Sequence, residues 1–312
     1  MGKKKILVIG SLNLDMVVNV DHTPLVGETI LSEKMELIPG GKGANQACAA
    51  ACLGADVAIL GAVGKDTYAE IQKESLKKAG VDVSHLVCRE NDATGLAMIT
   101  VNKDGDNSIV VVSGANATLS TKDIDDNREL IEACDIVIFQ LEIPLETVCY
   151  AAKLAKSLGK TVILDPAPVP KEFPEELYKY VDIIKPNETE LGMLTGISDA
   201  EEHLEEAVKL LRSRGAKEVL VTLGEKGVYL NEENGVSCRI PALKVEAVDT
   251  TAAGDSFTAA LAIMLADGKT LTEAARFANY VSAIVVTRKG AQSSIPMLEE
   301  VMIYIQDLEK VS

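Results

Sequence analysis

GANQACAAACLGADVAILGAVG, Gly43–Gly64, sets two kinds of pattern back to back. Its first half is rich in alanine, carries no β-branched residue and is stopped by Gly54, which reads as a helix. Its second half, Asp56–Gly64, is a nearly continuous apolar run, as expected of a strand covered on both faces. Gly54 and Asp56 also break what is the most apolar helix-like stretch, so it does not read as a membrane span.

The same alternation continues outward. KKILVIG (4–10), DIVIFQ (135–140), TVILDP (161–166), VDIIKPN (181–187) and EVLVTLG (218–224) are short apolar runs ending in polar or turn residues. Helical patterns such as TYAEIQKESLKKAG (67–80) lie between most of them. Alternation of this kind predicts an α/β fold with a central, mostly parallel sheet and right-handed crossovers. Two regions, about 11–39 and 94–114, read as strands without helices, the second as a hairpin around Asp104-Gly105. They predict a small separate β-sheet, a lid or a subunit contact. No linker, repeat or low-complexity run divides residues 1–312, which read as one domain. The acidic run at 199–206 is expected to be the solvated start of a helix.

Composition narrows the function classes. Hydrophobic residues make up 47%, enough for a large core, while aromatics make up 4% with no Trp, so stacking platforms for single-stranded nucleic acid are scarce. With 31 basic against 47 acidic residues the formal charge is −16, which disfavours nucleic acid and anionic membrane as partners. The start MGKKKILVIGSLNLD has no signal-type apolar region, and a cytoplasmic protein is expected. Cys48, Cys52, Cys88, Cys134, Cys149 and Cys238 read as reduced thiols, and no His lies near the Cys48/Cys52 pair to suggest a metal site. There is no G-x-x-x-x-G-K-[ST] loop, no G-x-G-x-x-G after the first strand and no G-x-S-x-G elbow. Three scattered histidines do not suggest a Ser-His-Asp triad.

DTTAAGDSF, Asp249–Phe257, raises a question of charge. Small residues lead directly into a helical pattern that Gly268 would stop, and the unpaired N–H groups at such a start suit a phosphate. Asp255 nevertheless stands in that first turn. Two readings remain open on this stretch alone: an acid complementing the helix dipole, or a base beside a transferring phosphoryl group.

With these tracts in place, the chain resembles the ribokinase-type carbohydrate kinases. DTTAAGDSF is similar to their C-terminal signature and PGGKGANQACAAACLGADVAILGAVGKD (39–66) to their N-terminal one. GSLNLD (10–15), GANATL (114–119), QLEIP (140–144), DPAP (165–168), KPNETE (185–190), TLGEKG (222–227) and TRKGAQSSIP (287–296) follow in the family's order, so the resemblance covers essentially the whole chain. Many relatives read GAGD where this chain has Ala252, Ala253, Gly254 and Asp255.

The resemblance implies roles that can be set beside local ones. Asn13 and Asp15, two apart on one face of an extended segment, would bind sugar hydroxyls, and otherwise suit a strand end. Gly41, Lys42 and Asn45 would contact the sugar, and otherwise form a glycine-rich turn into a helix. Glu142 would be a sugar ligand, or else an acid capping the next helix. Asn187 would lie near the nucleotide phosphates, though capping the following helix alone justifies it. Glu190 would hold Mg²⁺ through water, an ion that takes few carboxylates beside phosphates and waters. Thr222, Gly224 and Gly227 would line the ATP site, from what reads locally as a hairpin turn. Asn279 would stand near the adenine, where some relatives have His. Asp249, Thr251, Val285, Arg288, Gly290 and Ser294 match a K⁺ site, mostly through backbone carbonyls.

The implied activity is transfer of the ATP γ-phosphoryl group to O5 of D-ribose. Asp255 would be the base, and the N–H groups of Ala252, Ala253, Gly254 and Asp255 the anion hole. A homodimer through the β lid is implied as well. The same chemistry on 2-deoxyribose, a hexose or a nucleoside is the alternative, and a sugar-binding sensor without catalysis a more distant one.

Overall fold

The computed structural model describes residues 4–311; Met1–Lys3, part of the basic start, lie outside the described residues. Among those described, no helix is long and apolar enough to cross a membrane.

From the N-terminus, β1 (Lys5–Ile9) leads into β2 (Asn13–Asn19) and β3 (Met35–Gly40), then α1 (Lys42–Cys52), β4 (Asp56–Leu60), β5 (Ala62–Gly64) and α2 (Thr67–Ala79). β6 (Val87–Arg89), β7 (Gly95–Val101) and β8 (Asn107–Val112) precede a 3₁₀ turn at Gly114–Thr118, α3 (Thr121–Asp126), α4 (Arg128–Ala133) and β9 (Ile136–Phe139). The second half runs α5 (Leu145–Ser157), β10 (Thr161–Leu164), β11 (Ile183–Ile184), α6 (Glu188–Thr195), α7 (Leu204–Ser213) and β12 (Glu218–Thr222). It ends with β13 (Val228–Asn231), β14 (Ser237–Ile240), α8 (Ala253–Ala266), α9 (Leu271–Val285) and α10 (Leu298–Val311).

The main sheet has the order β14-β13-β12-β11-β10-β9-β1-β4, parallel from β4 to β12 and antiparallel at the β13 and β14 edge. Alternate residues of β1 serve opposite layers, as a pleated strand requires. Ile6 and Val8 belong to the core layer that includes α1, α8 and α9, whereas Leu7 and Ile9 belong to the opposite layer, with α5 and α7. Alanines at 44, 47, 259, 260 and 262, all fully buried, belong to the layer in which α1 and α8 pack together. That approach carries the start of α8 up to the start of α1, where the site forms.

Two local readings differ in extent. Gly61 splits the run 56–64 into β4 and the separate β5, which pairs with β6 instead of the main sheet. The acidic run enters its helix late: residues 199–203 form turns, with Asp199 at φ 51°, and α7 begins at Leu204. A left-handed residue there bends the chain before the helix can propagate.

The second sheet has the order β3-β2-β7-β8. It projects Met35, Leu37, Met98 and all four of Ile109–Val112 into solvent.

Candidate active site

In an open parallel sheet, ligands sit beyond the carboxyl ends of the strands. Here those ends deliver Ser11 after β1, Gln140 after β9, Asp165 after β10, Lys185 after β11 and Thr222 at the end of β12. Two helix starts face them, α1 at Lys42 and α8 at Ala253.

At α8 the turn is tight. Ala252 caps the helix with φ 61° and ψ 6°, a left-handed conformation costing a non-glycine residue roughly 1–2 kcal/mol. Ala253 N–H is turned back to Thr250 O at 3.2 Å, which corrects its expected place among the anion-hole donors. The N–H groups of Ala252, Gly254 and Asp255 have no acceptor among the described residues and remain for an anion. A Cβ built on Gly254 would touch only Lys185 Nζ, at 3.5 Å, so this glycine keeps space open.

Asp255 is 7% exposed. Its Oδ2 accepts from Asn45 Nδ2 and its Oδ1 from Gln46 Nε2, each at 3.0 Å. Burial raises its pKa and Asp165 adds to that, while Lys42 and the two amides oppose it. Lys42 loses basicity to burial, yet Asp255, Asp165, Glu142 and Glu190 together hold it above the ordinary lysine range. Lys42 is therefore a fixed cation among four acids. Asn45 Oδ1 is buried with no partner among the described residues, an acceptor on the same amide whose nitrogen bonds Asp255.

Around the start of α1 the chain is held by a residue distant in sequence. Glu142 Oε2 accepts from Ser11 Oγ at 2.5 Å and from Lys42 N–H at 3.2 Å. It caps α1 across the sheet, and not α5, whose N-cap is Pro144. Gly41, at φ 90°, lets the chain pass against Asn13: a Cβ there would meet Asn13 N at 2.6 Å. Asn13 and Glu142 line a cavity of about 380 Å³ together with Val111, Ser113, Asn116 and Pro168. Asp15, next along β2, has its pKa raised to about 7 by burial first, then by the charges of Glu142 and Asp255.

A second cavity, of about 510 Å³, is lined in part by α8's first turn. Asn187, Thr222, Gly224, Gly227, Ala253, Gly254 and Asn279 all line it, so the residues expected around ATP converge from four segments. Asn279 Nδ2 donates to Pro241 O at 3.3 Å. Asn187 caps α6 reciprocally with Glu190: Asn187 Oδ1 accepts Glu190 N–H at 2.7 Å and Glu190 Oε2 accepts Asn187 N–H at 2.8 Å. The local and functional readings of Asn187 are compatible. Burial raises the Glu190 pKa, with Asp165 adding and Asn187 N–H, Lys185 and Lys42 opposing.

The segment expected to hold a monovalent cation is cross-braced by Asp249. Its Oδ1 accepts from Thr251 N–H (2.9 Å) and Oγ1 (2.6 Å), and its Oδ2 accepts from Gly290 N–H (2.9 Å). Val285 O already accepts from Arg288 N–H at 3.0 Å, and Ser294 is fully buried nearby in sequence.

Several residues of the site carried no assigned role in the sequence. Gln46 Nε2 bonds Asp165 Oδ2 as well as Asp255, and Gln140 Nε2 donates to Gln46 Oε1 at 2.6 Å. Lys185 Nζ pairs with Asp165 Oδ1 at 3.2 Å, both side chains 4% exposed, and lies 3.5 Å from Gly254 O. Asn116 holds Asn13. The only local signal was a polar residue at the end of an apolar strand, which marks Gln140, Asp165 and Lys185 but not their partners.

Comparison with known proteins agrees with this geometry. Residues 3–298 match the model of the pfkB family of carbohydrate kinases. The chain is 40% identical over 305 residues to a ribokinase of Haemophilus influenzae, covering 97% of this chain and 99% of that one. It is 37% identical over 302 residues to a deoxyribokinase of Salmonella typhimurium, covering 96% and 98%. Among solved structures it is similar to Arabidopsis thaliana ribokinase complexed with ribose and ATP, with a TM-score of 0.91, 36% identity and coverage of 98% and 99%.

Proposed function

This chain belongs to the pfkB family of carbohydrate kinases, and on that premise we propose that it phosphorylates D-ribose on O5, with ATP as the phosphoryl donor. One observation carries the reading: a buried carboxylate, Asp255, shares its helix start with unpaired N–H groups, and that helix start lines a cavity through Ala253 and Gly254.

The sugar occupies the cavity of Asn13 and Glu142, with Asp15, Gly41, Lys42 and Asn45 around it. The unpartnered Asn45 Oδ1 supports this, because a buried acceptor needs a hydroxyl. ATP occupies the cavity of Asn187, Thr222, Gly224, Gly227 and Asn279. Asp255 takes the proton from the attacking hydroxyl, and burial, which raises its pKa, strengthens it as a base. The N–H groups of Ala252, Gly254 and Asp255, with the Lys42 ammonium, stabilise charge on the phosphoryl group as it passes. Water is a competing acceptor, so the small sheet, built within about 11–39 and 94–114, closes over the sugar as a lid.

Mg²⁺ fits the phosphate end: Glu190 keeps Oε1 without a partner among the described residues while Oε2 caps α6, and one carboxylate suffices beside phosphates and waters. When bound, the ion neutralises phosphate charge. K⁺ fits between Asp249–Thr251 and Val285–Ser294, two segments already tied by Asp249 to Gly290, and would steady the anion-hole turn. The exposed apolar face of the small sheet supports a homodimer, and six free cysteines support a reducing, cytoplasmic setting.

ADP release with Mg-ATP tests the reading, using D-ribose, 2-deoxyribose, fructose and adenosine in parallel, with K⁺ and with Na⁺ alone. Ribose-dependent release that falls without K⁺ is expected. Release only with 2-deoxyribose would move this chain to the second reading, which the deoxyribokinase relative favours. Sugar binding without ADP would remove catalysis altogether.

A further inference from the structure

Asn116 sits in the 3₁₀ turn Gly114–Thr118, on the wall of the sugar-side cavity, and is 1% exposed. Backbone groups fix which way its amide faces. Oδ1 accepts from Leu12 N–H at 2.9 Å, and Nδ2 donates to Leu12 O at 3.1 Å. A backbone N–H only donates and a carbonyl only accepts, so the reverse orientation would lose both bonds. The second hydrogen of Nδ2 goes to Asn13 Oδ1 at 2.8 Å.

That bond fixes Asn13 in turn. Its oxygen is used inside the protein, so its Nδ2, which has no acceptor among the described residues, is the group left for the cavity. Gly95 makes the arrangement possible, since a Cβ there would overlap both Asn13 Oδ1 and Asn116 Nδ2. Three segments, the starts of β2 and β7 and the 3₁₀ turn, therefore meet at one amide pair.

We propose that Asn116 is a positioning residue that sets the polarity of the sugar subsite, by holding Asn13 as a hydrogen-bond donor. Asp15, on the same face of β2, is the neighbouring acceptor. A sugar hydroxyl bound there accepts from Asn13 and donates to Asp15, so the subsite selects a hydroxyl over an ether oxygen, which cannot donate, or a missing group. This inference rests on the sugar-kinase reading and concerns recognition only; Asn116 acts through Asn13 and touches no reacting atom.

Asn116→Asp keeps the acceptor for Leu12 N–H and removes the donor, so Asn13 turns its nitrogen inward and its oxygen toward the sugar. The experiment measures D-ribose and ADP affinity by calorimetry, kcat at saturating ribose, and thermal melting, for Asn116→Asp, Asn13→Ala and the double variant. Ribose affinity is expected to fall on the order of 10- to 100-fold, the loss for mispairing a buried polar group. ADP affinity should stay within about threefold, since changes at one site leave a site that shares no contact with it nearly untouched, and kcat at saturating ribose should fall less than ribose affinity does. In the Asn13→Ala background, Asn116→Asp should cause no further loss of ribose affinity. If Asn116→Asp does not melt cooperatively, Asn116→Ala replaces it in the same cycle. Unchanged ribose affinity, an equal loss of ADP binding, or a loss that persists without Asn13 would each overturn the assignment. A native chain that binds none of the four candidate acceptors would take down the kinase reading, and this inference with it; native binding with an unaffected variant removes the inference alone.

Discussion

Gln46 Nε2 stands 3.0 Å from Asp255 Oδ1 while also bonding Asp165 Oδ2 at 2.9 Å, so one amide spans two buried carboxylates. Gln140 occupies Gln46 Oε1, which keeps the amide nitrogen facing the carboxylates. Hydrogen bonds to a carboxylate favour its charged form. Replacing Gln46 by Leu should therefore raise the Asp255 pKa further and move the acid limb of the kcat–pH profile upward. The loss of kcat should be larger at the acid end of the profile than at its alkaline end, because a base is lost by protonation on the acid side. A uniform loss at both would show that Gln46 only supports packing.

Asp255→Asn retains the shape and an acceptor for one of the two amides, Asn45 or Gln46, but removes the proton acceptor. Turnover should drop about 10²–10⁴-fold, the usual contribution of a positioned base. Ribose affinity by calorimetry should change little. Near-normal turnover would remove Asp255 from the base role.

Asp15 titrates at about 7 in the folded chain, raised mainly by burial from an ordinary value of 3.8. Ionised, it accepts from sugar hydroxyls, so ribose affinity should weaken as pH falls below about 7. Stability runs the other way. A raised folded pKa means the folded state holds the proton more tightly, so its stabilising effect is complete below 3.8 and is lost as pH rises through about 7. Asp15→Asn should bind ribose poorly at every pH and gain more melting temperature at about pH 8 than at about pH 4.5. An equal gain at both values would contradict the shift.

Asp165 and Lys185 form a buried pair beside Gly254. Removing one partner strands a buried charge, a loss of about 3–5 kcal/mol. Lys185→Met should destabilise by that order in urea unfolding, and adding Asp165→Asn should recover most of it. Failure of the second change to rescue would place the role of Lys185 elsewhere.

Gly254→Ala tests the phosphate path. The added methyl meets only Lys185 Nζ at an ordinary 3.5 Å, so melting should be nearly unchanged. The same methyl enters the cavity proposed for ATP, so ATP turnover should fall about tenfold or more, corresponding to roughly 1.4 kcal/mol. Loss of fold would mean that the glycine is structural.

Some parts of the site were legible because they are local. Asn187 and Glu190 are three apart, the spacing of a capping box, and the structure has that box. The small-residue turn before Asp255 announced a bare helix start, and only Ala253, bonded back to Thr250, departs from the expected set of donors. Glu142 shows the opposite case. As a strand-end acid it suggested a cap for the helix that follows, but it caps α1, 100 residues earlier, because the sheet places β9 beside β1.

Reading along the chain was enough for the alternating fold, the succession of strands and helices, the anion-ready start of α8 and the family to which the chain belongs. Each depends on contacts within a few residues or on tracts that can be read in order. Packing in three dimensions was needed to establish how Asp255 is held by Gln46, how Asp165 is balanced by Lys185, and how Asn116 orients Asn13. Those partners lie 209, 20 and 103 residues apart. No local periodicity records them; burial forces each polar group to find a partner, and the sheet order selects which one is within reach.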